Sequence, residues 1–250
     1  TENFARAANC LLGVGKGKKQ TVPQRFLGCG SALTEPSETP WLDYQGRKVR
    51  LLSSPLGTSP DVIQTITRDS HVVQLSERIE EDTKKGRKLI LSASRVDYTK
   101  GNEELLLAFE RLLERRPDLH GKIVLMLACV AAASGMRIYE DTQRLIEETI
   151  GRINGRFSKI DWVPIRFSTR RIPYEEMVAW FSQADICWIT PLRDGLNLVA
   201  KEYAAARKDQ AGVLVLSEFT GASVILDGAV PVSYTHLRAH ETRGNLVCRL

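Results

Sequence analysis

The fold is decided by residues 88–127, KLILSASRVDYTKGNEELLLAFERLLERRPDLHGKIVLML. Residues 88–92 form a short apolar run, which predicts a buried strand. Within residues 103–115 the apolar side chains recur at the spacing of one helix face, and residues 122–127 are apolar again. A strand, a helix and a second strand in this order predict a βαβ unit with two parallel strands.

The same alternation continues toward the carboxyl end of the chain. It predicts helices at residues 139–153, 173–181 and 198–206, and strands at residues 163–167, 186–190 and 213–216. The whole pattern predicts an α/β protein with a Rossmann-like parallel sheet that helices cover on both faces. Ligands of such sheets bind beyond the carboxyl ends of the strands, so the segments after the strands are the candidate binding loops.

The composition of the 250-residue chain, 43% hydrophobic and 26% charged, predicts a soluble globular protein. No run approaches the roughly 20 apolar residues that span a membrane. The net charge of +5 is mild and spread along the chain, which argues against a nucleic-acid partner. The five cysteines are scattered, which indicates reduced thiols in a cytoplasmic protein. The sequence leaves open whether the protein is a homo-oligomer.

The two ends of the chain do not follow this pattern. Residues 1–6 lack the layout of a secretory signal and an initiating Met, so we expect the chain to begin inside a larger protein. Residues 231–250 have no apolar periodicity and resemble a translated sequencing-library artefact, so we exclude them from the fold prediction. His236 and His240 lie four residues apart in this tail, but a lone histidine pair is a weak metal signal.

The first candidate loop, residues 94–101, directly follows the first strand. Arg95 can grip a phosphate with two parallel hydrogen bonds, and Lys100 adds a point charge. Thr99 is placed to cap the following helix. Together these residues predict an anion site. A purely structural alternative stays open, in which Arg95 pairs with Asp97 beside a capped helix.

The second candidate loop, residues 190–202, follows the strand at residues 186–190 and opens a helix. Gly195 permits either a close approach of a ligand to the backbone or a positive φ. The N–H groups of Asn197, Leu198 and Val199 begin the helix and are placed to cradle a diphosphate.

Two carboxylates belong to the same loop. Asp194 is placed to accept hydrogen bonds from sugar hydroxyls, and Glu202 lies where a carboxylate can hold a ribose diol. The structural alternative is a helix start with acidic charge at its positive end. A helix start needs only one acidic residue near its first turn. This segment combines two carboxylates, a glycine and exposed amides, which favours a binding site over the structural alternative.

Four segments resemble the trehalose-6-phosphate synthase family of retaining glycosyltransferases: RVDYTKG at 95–101, GRING at 151–155, TPLRDGLNLVAKEY at 190–203 and GVLVLS at 212–217. The resemblance implies a GT-B fold, in which two Rossmann-like domains hold the active site between them. Residues 81–230 would then be the carboxy-terminal, nucleotide-sugar-binding domain. Residues 1–80 would be the end of the amino-terminal, acceptor-side domain and a linker.

The resemblance also implies residue roles. Arg95 and Lys100 would be the catalytic pair, which binds the donor diphosphate and stabilises the leaving group. The donor would further be held, from glucose to ribose, by Asp194, Asn197, Leu198 and Glu202. No metal cofactor is expected, because cationic side chains and helix amides neutralise the diphosphate.

Residues 96–106 and 127–130 most resemble a branch of the family that transfers glucose from ADP-glucose to glycerol 3-phosphate. Ala133 stands where trehalose-forming members carry an Arg that contacts the acceptor phosphate, which argues against glucose 6-phosphate. Transfer from UDP-glucose to glucose 6-phosphate stays an alternative. A second alternative is that this chain binds a nucleotide but is inactive alone. The family's glycine-rich donor loop, acceptor-binding aromatic residues and active-site His have no counterpart in this sequence.

Overall fold

The computed structural model describes residues 15–16, 20–21, 38–39, 41–50, 56–131, 137–207 and 211–233. The chain divides into two compact units, residues 1–56 and residues 57–250. The described strands of the first unit are β1 (Gly15–Lys16), β2 (Gln20–Thr21), β3 (Glu38–Thr39), β4 (Trp41–Tyr44) and β5 (Arg47–Arg50).

All strand pairs in this first unit are antiparallel within its described residues. Strand β4 pairs with β1 on one side and β5 on the other, and β2 pairs with β3. Gln45 and Gly46 join β4 to β5 with φ angles of 51° and 77°. Positive φ at both residues of a two-residue turn matches the twist of a hairpin, which explains this tight connection.

The second unit contains a six-stranded sheet. Its strands are β6 (Lys88–Arg95), β7 (Ile123–Val130), β8 (Ile165–Ser168), β9 (Ile186–Ile189), β10 (Val213–Ser217) and β11 (Val230–Val232). Their order across the sheet is β11-β10-β9-β6-β7-β8, and all neighbouring pairs are parallel. The prediction of an α/β domain with a parallel sheet is therefore confirmed.

Helices lie on both faces of this sheet: α1 (Pro60–Thr67), α2 (Ser70–Arg78), α3 (Asn102–Arg115), α4 (Arg137–Phe157), α5 (Tyr174–Gln183) and α6 (Leu198–Ala206). Alternate side chains of each strand face opposite helix layers. Ile90 packs in the core with α3 and α4, whereas Leu89 and Leu91 pack in the core with the other four helices. Among the described helices, none is long and apolar enough to cross a bilayer.

Two boundaries differ from the sequence-based prediction. The compact unit begins at residue 57 rather than near 81, because α1 and α2 bury Ile63 and Val72 in the core of the sheet. The excluded tail also began too early. Strand β11 pairs in parallel with β10 through Val232. The run Val230-Pro231-Val232 is too short to show the periodicity from which a strand is predicted. Residues 234–250 and Ala133 lie outside the described part of the chain.

The strand order fixes where a ligand can bind. The chain enters the sheet at β6, adds β7 and β8 on one side, and then adds β9, β10 and β11 on the other side. The order therefore reverses between β6 and β9. At such a switch point the loops at the carboxyl ends of the two strands diverge to opposite faces and leave a crevice, which is the usual binding site of these folds.

Candidate active site

The loops that follow β6 and β9 meet at this switch point and are joined by main-chain groups. The carbonyl oxygen of Thr99, in the first loop, accepts hydrogen bonds from the N–H groups of Leu192 at 2.9 Å and Arg193 at 3.4 Å, in the second loop. The backbone thus sets the spacing between the two candidate loops independently of their side chains.

A third loop, residues 218–221 after β10, completes the site. The Asp194 N–H donates to the Phe219 carbonyl at 3.2 Å, and the Gly221 N–H donates to the Asp194 carbonyl at 2.9 Å. A Cβ at Gly221 would lie only 2.0 Å from the Gly195 carbonyl oxygen, so this approach requires glycine. The sequence pointed to the segment after β10 but to none of its residues, because the contact is between segments distant in the chain.

Lys100 and Asp194 form an ion pair between the first two loops. The Lys100 Nζ donates to Asp194 Oδ2 at 2.8 Å, and the two side chains are 18% and 14% exposed. Both residues were predicted to contact the donor. The structure brings them together and pairs them with each other, which the sequence did not predict.

The Asp194 carboxylate is fully engaged by the protein. Its Oδ2 accepts from Lys100 and from the Asn197 side-chain amide at 3.1 Å, and its Oδ1 accepts from the N–H groups of Leu196 at 3.2 Å and Asn197 at 3.1 Å. Partial burial would raise the pKa of Asp194, but these hydrogen bonds and the Lys100 charge outweigh it and hold the pKa below its ordinary value. The roughly four lone-pair sites of a carboxylate are thus filled, so sugar hydroxyls would have to displace a present donor.

The first turn of α6 offers amide groups as predicted, with one difference. Asn197 adopts φ 44° and ψ 80°, and its side chain accepts from the Ala200 N–H at 3.0 Å. Because the Asn197 N–H is used by Asp194, it is not available to a ligand. The N–H groups of Leu198 and Val199 donate to no acceptor within the described part of the chain. These two amides begin the helix and can bind an anion.

The side-chain position of Gly195, in the loop before these amides, is open. An added Cβ would meet no atom within 4 Å, and the φ of Gly195 is not positive. Of the two explanations that the sequence left open, a close approach of a ligand therefore fits and a left-handed backbone does not. The left-handed residue of this loop is Asn197.

The structure supports part of the structural alternative for the first loop. The Arg95 guanidinium lies 3.6 Å from an Asp97 oxygen and is 71% exposed, which is a weak pairing in solvent. The prediction that Thr99 caps the following helix is wrong. Both the N–H and the hydroxyl of Thr99 donate to Asp97, at 2.9 and 2.8 Å, and the residue that precedes α3 is Gly101, with φ 67°.

Glu202 lies one turn beyond Leu198 on the same side of α6 and is half-buried. Burial raises the pKa of its carboxyl, and a hydrogen bond from the Tyr174 hydroxyl opposes this in part. Tyr174 begins α5. Sequence analysis missed Tyr174, because nothing in the local pattern of α5 places its first residue against α6.

Comparison with known proteins gives the family of this chain. The profile of Glycosyltransferase family 20 matches residues 14–234, and the chain belongs to this family. Among curated relatives, it is 48% identical over 229 residues to the glucosylglycerol-phosphate synthase of Synechocystis sp. and 45% identical over 231 residues to that of Pseudomonas anguilliseptica. The matches cover 92% of this chain but only 46% and 30% of those proteins.

Solved structures of the same family share the fold. The trehalose-6-phosphate protein of E. coli with bound UDP-2-fluoro glucose is similar at a TM-score of 0.77 and 30% identity, over 95% of this chain and 49% of that one. The trehalose-phosphate synthase of Burkholderia xenovorans in complex with glucose-6-phosphate is similar at a TM-score of 0.76 and 37% identity. This match covers 81% of this chain and 44% of that one. The predicted fold class, a parallel α/β domain of the GT-B type, is confirmed.

Proposed function

We propose that this chain provides the donor-binding side of a retaining glycosyltransferase that moves glucose from ADP-glucose to glycerol 3-phosphate. The observation that carries the proposal is that Lys100 pairs at the switch point with Asp194, four residues before Leu198, in the loop that leads into the amides of Leu198 and Val199 at the start of α6. Arg95, at the end of β6, adds an exposed guanidinium to the same edge of the sheet. Cations and N–H donors converging on one crevice suit a diphosphate.

The proposed chemistry uses these groups on the leaving diphosphate. As the bond between the anomeric carbon and the diphosphate oxygen breaks, negative charge grows on the diphosphate. Arg95, Lys100 and the two helix amides stabilise this charge. The acceptor hydroxyl bonds to the anomeric carbon on the face that the diphosphate leaves, and its proton passes to the departing diphosphate, so the anomer is retained.

The choice of acceptor and donor rests on similarity. The curated glucosylglycerol-phosphate synthases are 45–48% identical to this chain, whereas the curated trehalose-phosphate synthases are 34–39% identical. Ala133 supports the same choice, because alanine cannot form the phosphate clamp that an arginine provides. The competing function is transfer from UDP-glucose to glucose 6-phosphate.

Calorimetry of this chain with ADP, UDP and GDP tests the donor side. We expect ADP to bind most tightly, and equal or tighter binding of UDP would contradict the proposed donor. Turnover is measured on a protein that adds the acceptor-side residues. ADP release from ADP-glucose should require glycerol 3-phosphate, and equal or faster release with glucose 6-phosphate would contradict the proposed acceptor. EDTA should leave the rate unchanged if protein groups alone neutralise the diphosphate.

A further inference from the structure

We propose that Asn102 is a positioning residue, whose buried carboxamide sets the direction in which Arg95 presents its guanidinium to the donor diphosphate. This inference rests on the proposed function and adds to it a residue that contacts no substrate. Asn102 is the first residue of α3 and is only 4% exposed. Buried polar side chains are costly unless they are hydrogen-bonded, so its partners show what it holds.

All the partners of Asn102 lie at the carboxyl ends of two central strands. Its Nδ2 donates to the Arg95 carbonyl oxygen at 3.3 Å and to the Cys129 Sγ at 3.4 Å. Its Oδ1 accepts from the Ser94 hydroxyl at 3.0 Å. One side chain therefore joins the start of a helix to the last residues of β6 and to β7.

Arg95 depends on this anchor because its own side chain is weakly held. The guanidinium is 71% exposed, and its ion pair is the 3.6 Å approach to Asp97. The neighbouring Val96 N–H donates to the Val130 carbonyl at 2.8 Å, which fixes the backbone on the other side of the peptide. The Arg95 carbonyl accepts from Asn102 and from the Ser94 hydroxyl at 3.2 Å, and Ser94 is itself held by the Asn102 carboxamide oxygen. The direction of the Arg95 side chain thus follows from its backbone rather than from contacts of its guanidinium.

The cluster carries no charge of its own at neutral pH. Burial raises the pKa of the Cys129 thiol to about 11, so it stays protonated and acts as a hydrogen-bonding partner rather than as a nucleophile. A neutral cluster supports the backbone without competing with the donor diphosphate for the cations. This separates Asn102 from Asp194, which pairs directly with a cation of the site.

The test measures ADP binding to the chain by calorimetry, with thermal unfolding measured in parallel. Asn102→Ala should weaken ADP binding about tenfold, which corresponds to about 1.4 kcal/mol. The matched control is Asn154→Ala. Asn154 likewise joins a helix to a strand: its Nδ2 donates to the Ile165 carbonyl at 2.9 Å, and its Oδ1 accepts from the Ile165 N–H at 3.0 Å. Ile165 is the first residue of β8, so this contact lies at the amino end of a strand and not at the carboxyl ends where Asn102 lies. The Asn154→Ala variant should lower the Tm without changing the affinity for ADP.

A double-mutant cycle separates positioning from general loss of structure. If Asn102 acts through Arg95, then adding Asn102→Ala to Arg95→Ala should weaken binding no further. If Asn102→Ala does not fold, Asn102→Asp takes its place in the test. The Asp side chain keeps an oxygen that accepts from Ser94 but has no N–H group to donate to the Arg95 carbonyl, so it should weaken ADP binding as alanine would. Additive losses, or equal losses in the Asn154→Ala control, would overturn the inference. A wild-type chain that binds no ADP would instead refute the proposed function, and this inference with it.

Discussion

Replacing Gly221 by alanine tests whether the loop after β10 holds the donor loop in place. The new Cβ would lie 2.0 Å from the Gly195 carbonyl oxygen and 2.9 Å from its carbonyl carbon, and real Cβ contacts essentially never fall below 3.0 Å. The two backbones must therefore separate by about 1 Å, a misplacement that can reduce turnover about 100-fold. The hydrogen bond from the Gly221 N–H to the Asp194 carbonyl, 2.9 Å long, would be strained at the same time.

The expected stability change follows from the same clash. Overpacking of this kind costs about 1–3 kcal/mol, which for a unit of this size lowers the Tm by about 2–12 °C. Thermal unfolding measures this change. Calorimetry with ADP-glucose, performed well below the Tm, measures the effect on the site, and we expect weaker binding.

Two other glycines provide controls. A Cβ at Gly195 or at Gly228 would meet no protein atom within 4 Å, so both alanine variants should unfold at the wild-type temperature. If the donor approaches the backbone at Gly195, Gly195→Ala should still weaken ADP-glucose binding, because its Cβ enters the open space there, whereas Gly228→Ala should not. Wild-type stability and affinity in Gly221→Ala would refute the role of this loop. Wild-type affinity in Gly195→Ala would refute the assignment of the open space to the donor.

Three further predictions concern charged residues. Arg95→Ala and Lys100→Ala should each reduce turnover at least about 100-fold, because each removes about 3 kcal/mol of leaving-group stabilisation, and unchanged steady-state kinetics would contradict this. Burial raises the pKa of Glu202 above its ordinary 4.5, so calorimetric affinity for ADP-glucose should fall as the pH drops through that raised pKa; an equal fall in Glu202→Gln would exclude Glu202 as the cause. The Asp185 carboxylate pairs with Lys88 Nζ at 2.8 Å and accepts from the Leu89 N–H at 2.9 Å. Burial alone would raise the pKa of Asp185, but these hydrogen bonds and the nearby lysine charges lower it below 3.8. The stabilisation from this carboxylate is therefore full above pH 3.8 and is lost as the pH falls through the lowered pKa. The Tm deficit of Asp185→Asn should therefore be greatest near neutral pH and shrink in acid, and a deficit independent of pH would contradict the ion-pair explanation.

Elements with a strong local pattern were predictable. Strand β7 is apolar throughout and β6 is apolar over residues 89–91, because helices cover both of their faces, and α3 carries its apolar stripe on one side. Helix α4 is longer than predicted at both ends, where Arg137, Asn154, Gly155 and Arg156 interrupt the apolar pattern. Strand β11 was missed because a run of three residues has no periodicity to detect.

The candidate site was predictable as a location but not as a set of contacts. The rule for parallel sheets placed Lys100 and Asp194 at one edge, and the structure brings them within 2.8 Å. That they would pair with each other could not be predicted, because both were assigned to the ligand. Gly221 and Tyr174 enter the site only through tertiary packing, from segments whose local sequence carries no sign of it. The roles of all these residues toward a donor stay predictions.

The carbonyl of Thr99 holds the second loop through backbone N–H groups alone. Main-chain groups are present whatever the side chain, so this connection between the two loops is kept when their side chains change. An ancestral gene could therefore accumulate substitutions around the crevice and change its substrate preference step by step, without passing through a variant whose loops come apart. Substitutions that change the specificity of the crevice need not change the spacing of these two loops.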